Sequence, residues 1–304
     1  MKLSPSELKI KKRAKTFYFA SLFFSKKKQE DISILYTFCR YIDDLGDNPQ
    51  IKKTTAKEQI DLIKNHIINR SSDIPIVKDF LILMGKYNIN ITTPLHLISG
   101  VSSDLSKVRI KNYKELMIYS YKVAGTVGLM MCKLMEISDA DLNKKGILLG
   151  IAMQLTNIIR DINEDLQNDR IYFPLQFLSF KFSNIDEIKK NNKLKKKFSN
   201  DLFSLIENSN KIYATSWLGI KKLPLKYRIP IGVASNLYQE IGLEIMKNAF
   251  CIWEKRIYIA KSSKMFLSLG TIFSIFFGRE SQGYPKIENE IFSILYKFDK
   301  KFYE

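Results

Sequence analysis

The 304-residue chain reads as an all-α protein made of one domain, 1–304. Three observations point there. Apolar residues recur at helical spacing over Ile32 to Asp44, Tyr113 to Met135, Gly146 to Gln167 and Ser235 to Ile259, whereas the alternation of a half-buried strand is scarce. Only 13 Gly and 8 Pro punctuate the chain, so few positions break a helix. No linker-like stretch or solenoid-period repeat divides it, and a continuous helical bundle can reach this length as one unit.

The first periodic stretch ends in YTFCRYIDDLGD. On a helix, Ile34, Leu35, Phe38 and Ile42 supply an apolar stripe, and Arg40, Asp43, Asp44 and Asp47 form a polar one. The third ends in QLTNIIRDINEDLQNDRIYFP and repeats the arrangement. Gln154, Asn157, Arg160, Asp161, Glu164 and Asp165 share a polar stripe beside Leu155, Ile158, Ile159, Ile162 and Leu166. In each cluster the outer aspartates are four residues apart, one above the other on a single face. Such a pair repels itself, so a cation is expected to offset the repulsion. Two pairs on facing helices make a set of hard oxygen ligands suited to Mg2+ and a diphosphate, because Mg2+ takes one or two carboxylates plus phosphate oxygens and water.

The competing reading is two ordinary surface helices with solvated acids. Lysine usage decides against it. The chain holds 40 lysines, yet none falls in Gln29 to Ile51 or in Gly146 to Phe180. Solvated faces are where lysine collects, so the acidic stripes are expected to turn inward. Arg40 and Arg160 sit beside the aspartates and can contact phosphate oxygens, or fix their acidic neighbours by ion pairs.

Outside these stretches the sequence sets bounds. KKNNKLKKK, Lys189 to Lys197, reads as a solvated connection or helix end, since a block of like charge cannot pack. Cys39, Cys132 and Cys251 lie in apolar helical patterns without metal-ligand spacing, which fits a reduced, cytoplasmic protein. His66 and His96 show no paired ligand spacing and read as structural. MKLSPSELKIKKR lacks the apolar core of a secretory signal, and no run reaches the length needed to cross a bilayer. The longest apolar stretch, MFLSLGTIFSIFFG from Met265 to Gly278, is expected as a buried core helix in preference to an interfacial anchor.

Net charge is +18, from 49 basic and 31 acidic residues. Nucleic acid is not an expected partner, because no helix-turn-helix, zinc or RNA-binding motif accompanies the charge. Weak attraction to an anionic leaflet at the inner face of a membrane fits the charge better, and nothing in the sequence sets an oligomeric state.

With these residues in view, the chain resembles the head-to-head prenyl synthases: squalene, dehydrosqualene and phytoene synthases. The resemblance runs from KTFYFASLFF (Lys15 to Phe24) through YTFCRYIDDLGD, ISGVSSDL (Ile98 to Leu105) and YSYKVAGTVGLMM (Tyr119 to Met131) to QLTNIIRDINEDLQNDRIYFP (Gln154 to Pro174). Two aspartate motifs in this order, with VAGTVG between and RIYFP after, are far more specific than a lone DxxxD. The resemblance implies an isoprenoid-synthase helical bundle with a central cavity between the aspartate helices. It also implies condensation of two identical allylic diphosphates through a cyclopropyl intermediate.

It further implies roles. Asp43, Asp47, Asp161 and Asp165 would hold Mg2+, for which Mn2+ can substitute, and Asp44 would assist. Arg40, Arg160 and Arg170 would contact diphosphate. Tyr119 matches the tyrosine placed near the departing diphosphate, and Gln154 and Asn157 match polar residues facing the intermediate. Tyr172 reads as structural as readily as functional. Ala124, Gly125 and Gly128 would allow either a polyprenyl chain or tight helix packing. In NAFCIWEKRIYIAK, many relatives carry a tyrosine where this chain has Phe250 or Cys251, so no polar role is assigned there. The motifs look most like those of bacterial phytoene synthases, which use the C20 diphosphate, geranylgeranyl diphosphate, without reductant. The alternative is a squalene or dehydrosqualene synthase using two farnesyl diphosphates, with NADPH consumed for squalene. A non-catalytic assembly-factor relative is more remote, because both aspartate motifs are intact.

Overall fold

The computed structural model describes residues 19–48, 50–278 and 282–302. Met1 to Arg13 and Lys15 to Tyr18, which belong to motifs named from the sequence, lie outside the described residues. Helices succeed one another in the order α1 Lys26–Asp47, α2 Lys53–Asn69, α3 Pro75–Lys86, α4 Thr92–Ser103, α5 Tyr113–Ser120, α6 Thr126–Leu134, α7 Ala140–Gln167, α8 Ile185–Lys190, α9 Asn192–Lys222, α10 Leu225–Lys247, α11 Lys261–Phe277 and α12 Pro285–Phe298. No strand forms among the described residues, and one isolated bridge pairs Arg109 with Ile171.

Two apolar cores support the bundle. The first lies under α1 to α4, where Ile32, Leu35, Phe38 and Ile42 of α1 meet Val77, Phe80 and Leu83 of α3. Phe38 and Phe80 stack there at 3.6 Å between centroids, both fully buried. Truncating either to Ala would cost about 3–5 kcal/mol. The second core surrounds α7, whose Ile147, Ile151, Leu155, Ile158 and Ile162 pack among Leu202, Leu205 and Ile212 of α9. The two aspartate helices are thus each anchored by an apolar stripe to a different core, and their polar stripes are left facing the space between.

The stretch Tyr113 to Leu134 runs as one helix with a π turn at Tyr121–Gly125, where the Thr126 N–H bonds to the Tyr121 carbonyl. Such a turn inserts one extra residue, so α5 is rotated about the axis relative to α6. Small residues let this segment press on its neighbours. A Cβ on Gly128 would run into the Gly146 carbonyl, and one on Gly150 into the Ala124 carbonyl. Both are sites where α6 or the π turn crosses α7 at backbone distance.

The structure departs from two expectations. Periodicity predicts a helix over Ser235 to Ile259, but α10 ends at Lys247, and a 3-10 turn, Ala249–Trp253, comes next. Trp253 is held there by a bond from its Nε1 to Ser199 Oγ of α9, 2.9 Å long, and the chain continues without regular secondary structure to Ala260. The second departure is α11. Its apolar sequence predicts burial, yet among its residues only Lys264, Ser268 and Thr271 are buried, while Met265, Phe266, Leu269, Phe273, Phe276 and Phe277 are exposed. No helix among the described residues is long and apolar enough to cross a membrane. The lysine-rich run behaves as a boundary: Asn191 separates α8 from α9, and its side chain accepts from the N–H groups of Lys193 and Leu194.

Candidate active site

Between α1 and α7 lies a polar cavity of about 530 Å3. From α1 it receives Tyr36, Arg40, Asp43 and Asp47; from α7, Gln154, Asn157, Arg160, Asp161, Glu164 and Asp165. Asp104 at the end of α4, Tyr119 of α5, Arg170 and Tyr172 after α7, and Arg256 complete its wall. A second, apolar cavity of about 300 Å3 lies beside it. Its wall is largely aliphatic, with Leu35, Leu97, Val127, Met131, Leu149 and Ile220 among the lining residues. Tyr36, Asp43, Val123, Gln154 and Asn157 line both, so the polar and apolar spaces adjoin across these five residues.

Ion pairs order the acidic groups. Arg160 grips Asp161 with two bonds, Nε to Oδ1 at 2.8 Å and Nη2 to Oδ2 at 2.6 Å. Arg256 donates to the same Asp161 Oδ2 at 2.9 Å and reaches Glu164 at 3.4 Å. Arg170 pairs with Asp47 at 2.6 Å and donates to the Gly46 carbonyl at 3.1 Å. It is positioned by a short parallel pairing of two loops, in which Ile171 N–H bonds to the Val108 carbonyl and Ile110 N–H to the Ile171 carbonyl.

Asp43 and Asp165 have no such close partner among the described residues, and their acidity shows it. Burial pushes the Asp43 carboxyl up to about 7; Arg40 opposes this, while Asp47, Asp104 and Asp44 add to it. Burial pushes Asp165 up to about 8, with Asp161 adding and Arg170 opposing. Asp104 rises to about 6 from burial, held back by hydrogen bonds from Tyr172 and Tyr119. Tyr119 donates its hydroxyl to Asp104 Oδ2 at 3.0 Å, and its ring stacks on Tyr172 at 4.8 Å. Burial, and then the Asp104 charge, hold the Tyr119 hydroxyl well above its ordinary value.

Two buried polar atoms at this site have no partner among the described residues: Oδ1 of Asp104 and Nε of Arg40. The wall therefore offers an unmet acceptor, an unmet donor and two carboxyls whose ionisation burial makes costly without a nearby cation. These features fit hard cations bridged to an anion. The donor set is all oxygen, which suits Mg2+. Among the described residues no three acidic, His or Cys side chains converge on one point, so ligands from outside the protein would have to fill much of each ion's shell.

Most residues named from the sequence meet here. Arg40, Asp43, Asp47, Tyr119, Gln154, Asn157, Arg160, Asp161, Asp165 and Arg170 all line the polar cavity. Gln154 and Asn157 sit at the junction with the apolar one and bond to each other at 3.3 Å. Asp44 lines neither cavity, because its position on α1, about 100° round the helix from Asp43, is turned away from α7. It pairs instead with Arg40 at 2.7 Å. Ala124 and Gly128 line the apolar cavity as well as packing against α7. Phe250 packs against the second core. His66 and His96 line neither cavity, and His96 links the Tyr121 hydroxyl to Asp299.

Tyr36, Asp104, Arg256 and Tyr238 are among the wall residues that had no sequence assignment. Tyr36 is one turn before Arg40, and extending the polar stripe of α1 backwards would have found it. Asp104 lies in ISGVSSDL without an acid one turn away, so spacing gave no signal. Arg256 reads as one charge in a basic run. Tyr238, on the apolar wall, has the spacing of an ordinary core residue of α10.

Similarity to known proteins agrees with this geometry. The sequence profile described as squalene/phytoene synthase matches residues 10–263. A phytoene synthase of Arthrospira platensis is 32% identical over 273 residues, covering 83% of this chain and 86% of that protein. The 15-cis-phytoene synthase of Synechococcus elongatus is 28% identical over 271 residues, with the same coverage. A chloroplastic phytoene synthase of Zea mays is 30% identical over 263 residues, and this chain spans 63% of its length. Among solved structures, a dehydrosqualene synthase in complex with ligand superposes with a TM-score of 0.75 at 25% identity, covering 89% of this chain and 95% of that one. A squalene synthase from Alicyclobacillus acidocaldarius superposes at 0.68 with 18% identity, covering 81% and 93%; that likeness concerns the fold.

Proposed function

Because the chain belongs to the squalene/phytoene synthase family, and is therefore a prenyltransferase, we propose that it condenses two geranylgeranyl diphosphates head to head. The product is phytoene, formed through the cyclopropyl prephytoene diphosphate, a step of carotenoid biosynthesis. One observation carries this reading: the charged cavity and the apolar cavity adjoin, sharing Tyr36, Asp43, Val123, Gln154 and Asn157 in their walls. That shape matches a molecule with a diphosphate head and a hydrocarbon tail, whose reactive carbon lies where the two meet.

Asp43, Asp47, Asp161 and Asp165 would hold Mg2+. When bound, the metal would neutralise charge developing on the diphosphate as it leaves the allylic carbon. Arg40, Arg160, Arg170 and Arg256 line the same cavity, and their planar guanidinium groups suit phosphate oxygens. Gln154 and Asn157 stand at the junction, where a cationic carbon needs dipoles but no free water. Tyr119 orients its hydroxyl through Asp104 and presents a ring that can face a cation. The retained diphosphate is the strongest base near the final cation, so it is the proton acceptor in this reading. The setting is cytoplasmic, with the enzyme attracted to the inner face of a membrane by its net positive charge.

A second reading, dehydrosqualene or squalene synthesis from two farnesyl diphosphates, draws on the structural likeness to a dehydrosqualene synthase. Incubation of the purified protein with Mg2+ and either the C15 or the C20 diphosphate, with and without NADPH, separates the two. Phytoene from the C20 substrate, unaffected by NADPH, is expected. A reduced C30 hydrocarbon formed only with NADPH would establish squalene synthesis instead.

A further inference from the structure

Helix α11 is built inside out. Met265, Phe266, Leu269, Phe273, Phe276 and Phe277 recur three and four residues apart, the spacing of a single helical face, and that face is turned to solvent. Phe266 and Phe277 are 78% and 74% exposed. The opposite, mostly polar face is turned to the protein. Thr271 Oγ1 accepts from Asn236 Nδ2 of α10 at 2.8 Å, and Lys264, Ser268 and Thr271 are buried. A large apolar face of this kind marks an interaction surface.

We propose that α11 docks the enzyme onto an anionic lipid surface, lying in the plane of the bilayer with its phenylalanines among the upper acyl segments. Length and charge select this occupant. The helix has 17 residues, and no described helix is long and apolar enough to cross a membrane, so α11 rests on the bilayer. From Lys255 to Gly278 the chain contains Lys255, Arg256, Lys261 and Lys264 and no acidic residue. Lys261 opens the helix and is exposed, as is Lys255 in the segment before it, whereas Arg256 is paired with Asp161 and Lys264 is buried. A second copy would bring like charges together across the same face, whereas an anionic leaflet complements them.

The neighbourhood extends the surface. The turn bearing exposed Leu22 and Phe23 is tied to α10 and α11 through Phe19, Ala20 and Leu267, and leads into exposed Lys26 and Lys27. Helix α10 carries Ile231, Ala234 and Tyr238 on the apolar cavity wall, while Gly232 faces Thr271 and Ile275 of α11. One helix therefore separates the lipid surface from the space assigned to hydrocarbon tails.

The test is sedimentation of the whole chain, without substrate, with vesicles of phosphatidylcholine alone or with roughly a quarter phosphatidylglycerol. The wild type is expected to pellet with the anionic vesicles, and less so in high salt. The triple variant F266S/F273S/F277S should lose about tenfold or more in bound fraction at unchanged helix content by circular dichroism and unchanged turnover in detergent. In a Phe273→Trp variant, tryptophan emission should move to the blue on adding anionic vesicles. Equal binding by wild type and triple variant, or unchanged emission, would overturn the proposal. So would a wild type that ignores vesicles but sediments as a dimer that the triple variant dissociates, which would make the face a contact between copies. No outcome depends on which diphosphate the cavity accepts.

Discussion

Arg170 and Asp47 join the two aspartate helices: the guanidinium, set just after α7, meets the carboxylate in the last turn of α1 at 2.6 Å. Arg170 also holds the Gly46 carbonyl, so one side chain closes the polar cavity at its outer end. A diphosphate entering this space would compete with Asp47 for Arg170, and metal would compete with Arg170 for Asp47. The pair is therefore both a latch and a store of the charges that the ligands need.

Replacing Arg170 by Gln should weaken substrate use strongly while leaving the fold intact, because Arg170 is half-buried and touches no core residue through its charge. Loss of one charge-assisted contact to phosphate is worth about 1.5–3 kcal/mol, or roughly 10- to 100-fold. Steady-state kinetics should show the loss in kcat/KM. A variant within twofold of wild type would remove Arg170 from the diphosphate site.

Asp43→Asn and Asp161→Asn should each lower turnover about a hundredfold or more, since both delete a charge assigned to metal. Their effects on the metal-free protein should differ in sign. Asp43 lacks a close cation other than Arg40, which already pairs with Asp44, so neutralising it should raise Tm near pH 8. Asp161 is the acceptor for both Arg160 and Arg256, so its loss leaves two guanidinium groups short of a partner and should lower Tm. Thermal melts and turnover measured on the same preparations check both halves. Near wild-type activity in both variants would refute the metal assignment.

The raised carboxyls predict how stability depends on pH. Asp43 and Asp165 titrate near 7 and 8 in the folded protein, above the usual carboxylate value near 4. Between about pH 4 and 8 the native state therefore binds more protons than the unfolded chain, and stability falls as pH rises through that window. Tm of the metal-free protein should drop from pH 5 to pH 8. Mg2+ with a non-hydrolysable diphosphate analogue should flatten the slope, and should stabilise by more together than the two added separately, because they complete one site. A Tm that rises across the window, or purely additive shifts, would contradict this account.

Tyr119→Phe removes the hydroxyl that Asp104 orients. Turnover should fall by roughly tenfold or more, or the cyclopropyl intermediate should accumulate, while binding of the diphosphate analogue is largely retained. Product extraction after a single turnover distinguishes these outcomes from a simple binding defect. Unchanged turnover would leave Tyr119 as a packing partner of Tyr172.

Local sequence determined those features that depend on helical spacing. Asp43 with Asp47, and Asp161 with Asp165, must share faces once those stretches are helical, and the missing lysines mark the two helices whose polar faces line a cavity. Tertiary structure alone decided whatever joins residues from different elements. Asp104 and Arg256 enter the site from α4 and from the loop after α10, and no periodicity links them to either aspartate pair. The choice between Asp43 and Asp44 was likewise settled by packing: how α1 is rotated against its core decides which of the two carboxylates meets the cavity. The outward face of α11 has the same origin. Apolar periodicity gives the helix a stripe, but which side of the stripe meets the protein depends on the partner helix, and α10 offers Asn236 to Thr271 where a hydrophobic groove would have turned the phenylalanines in.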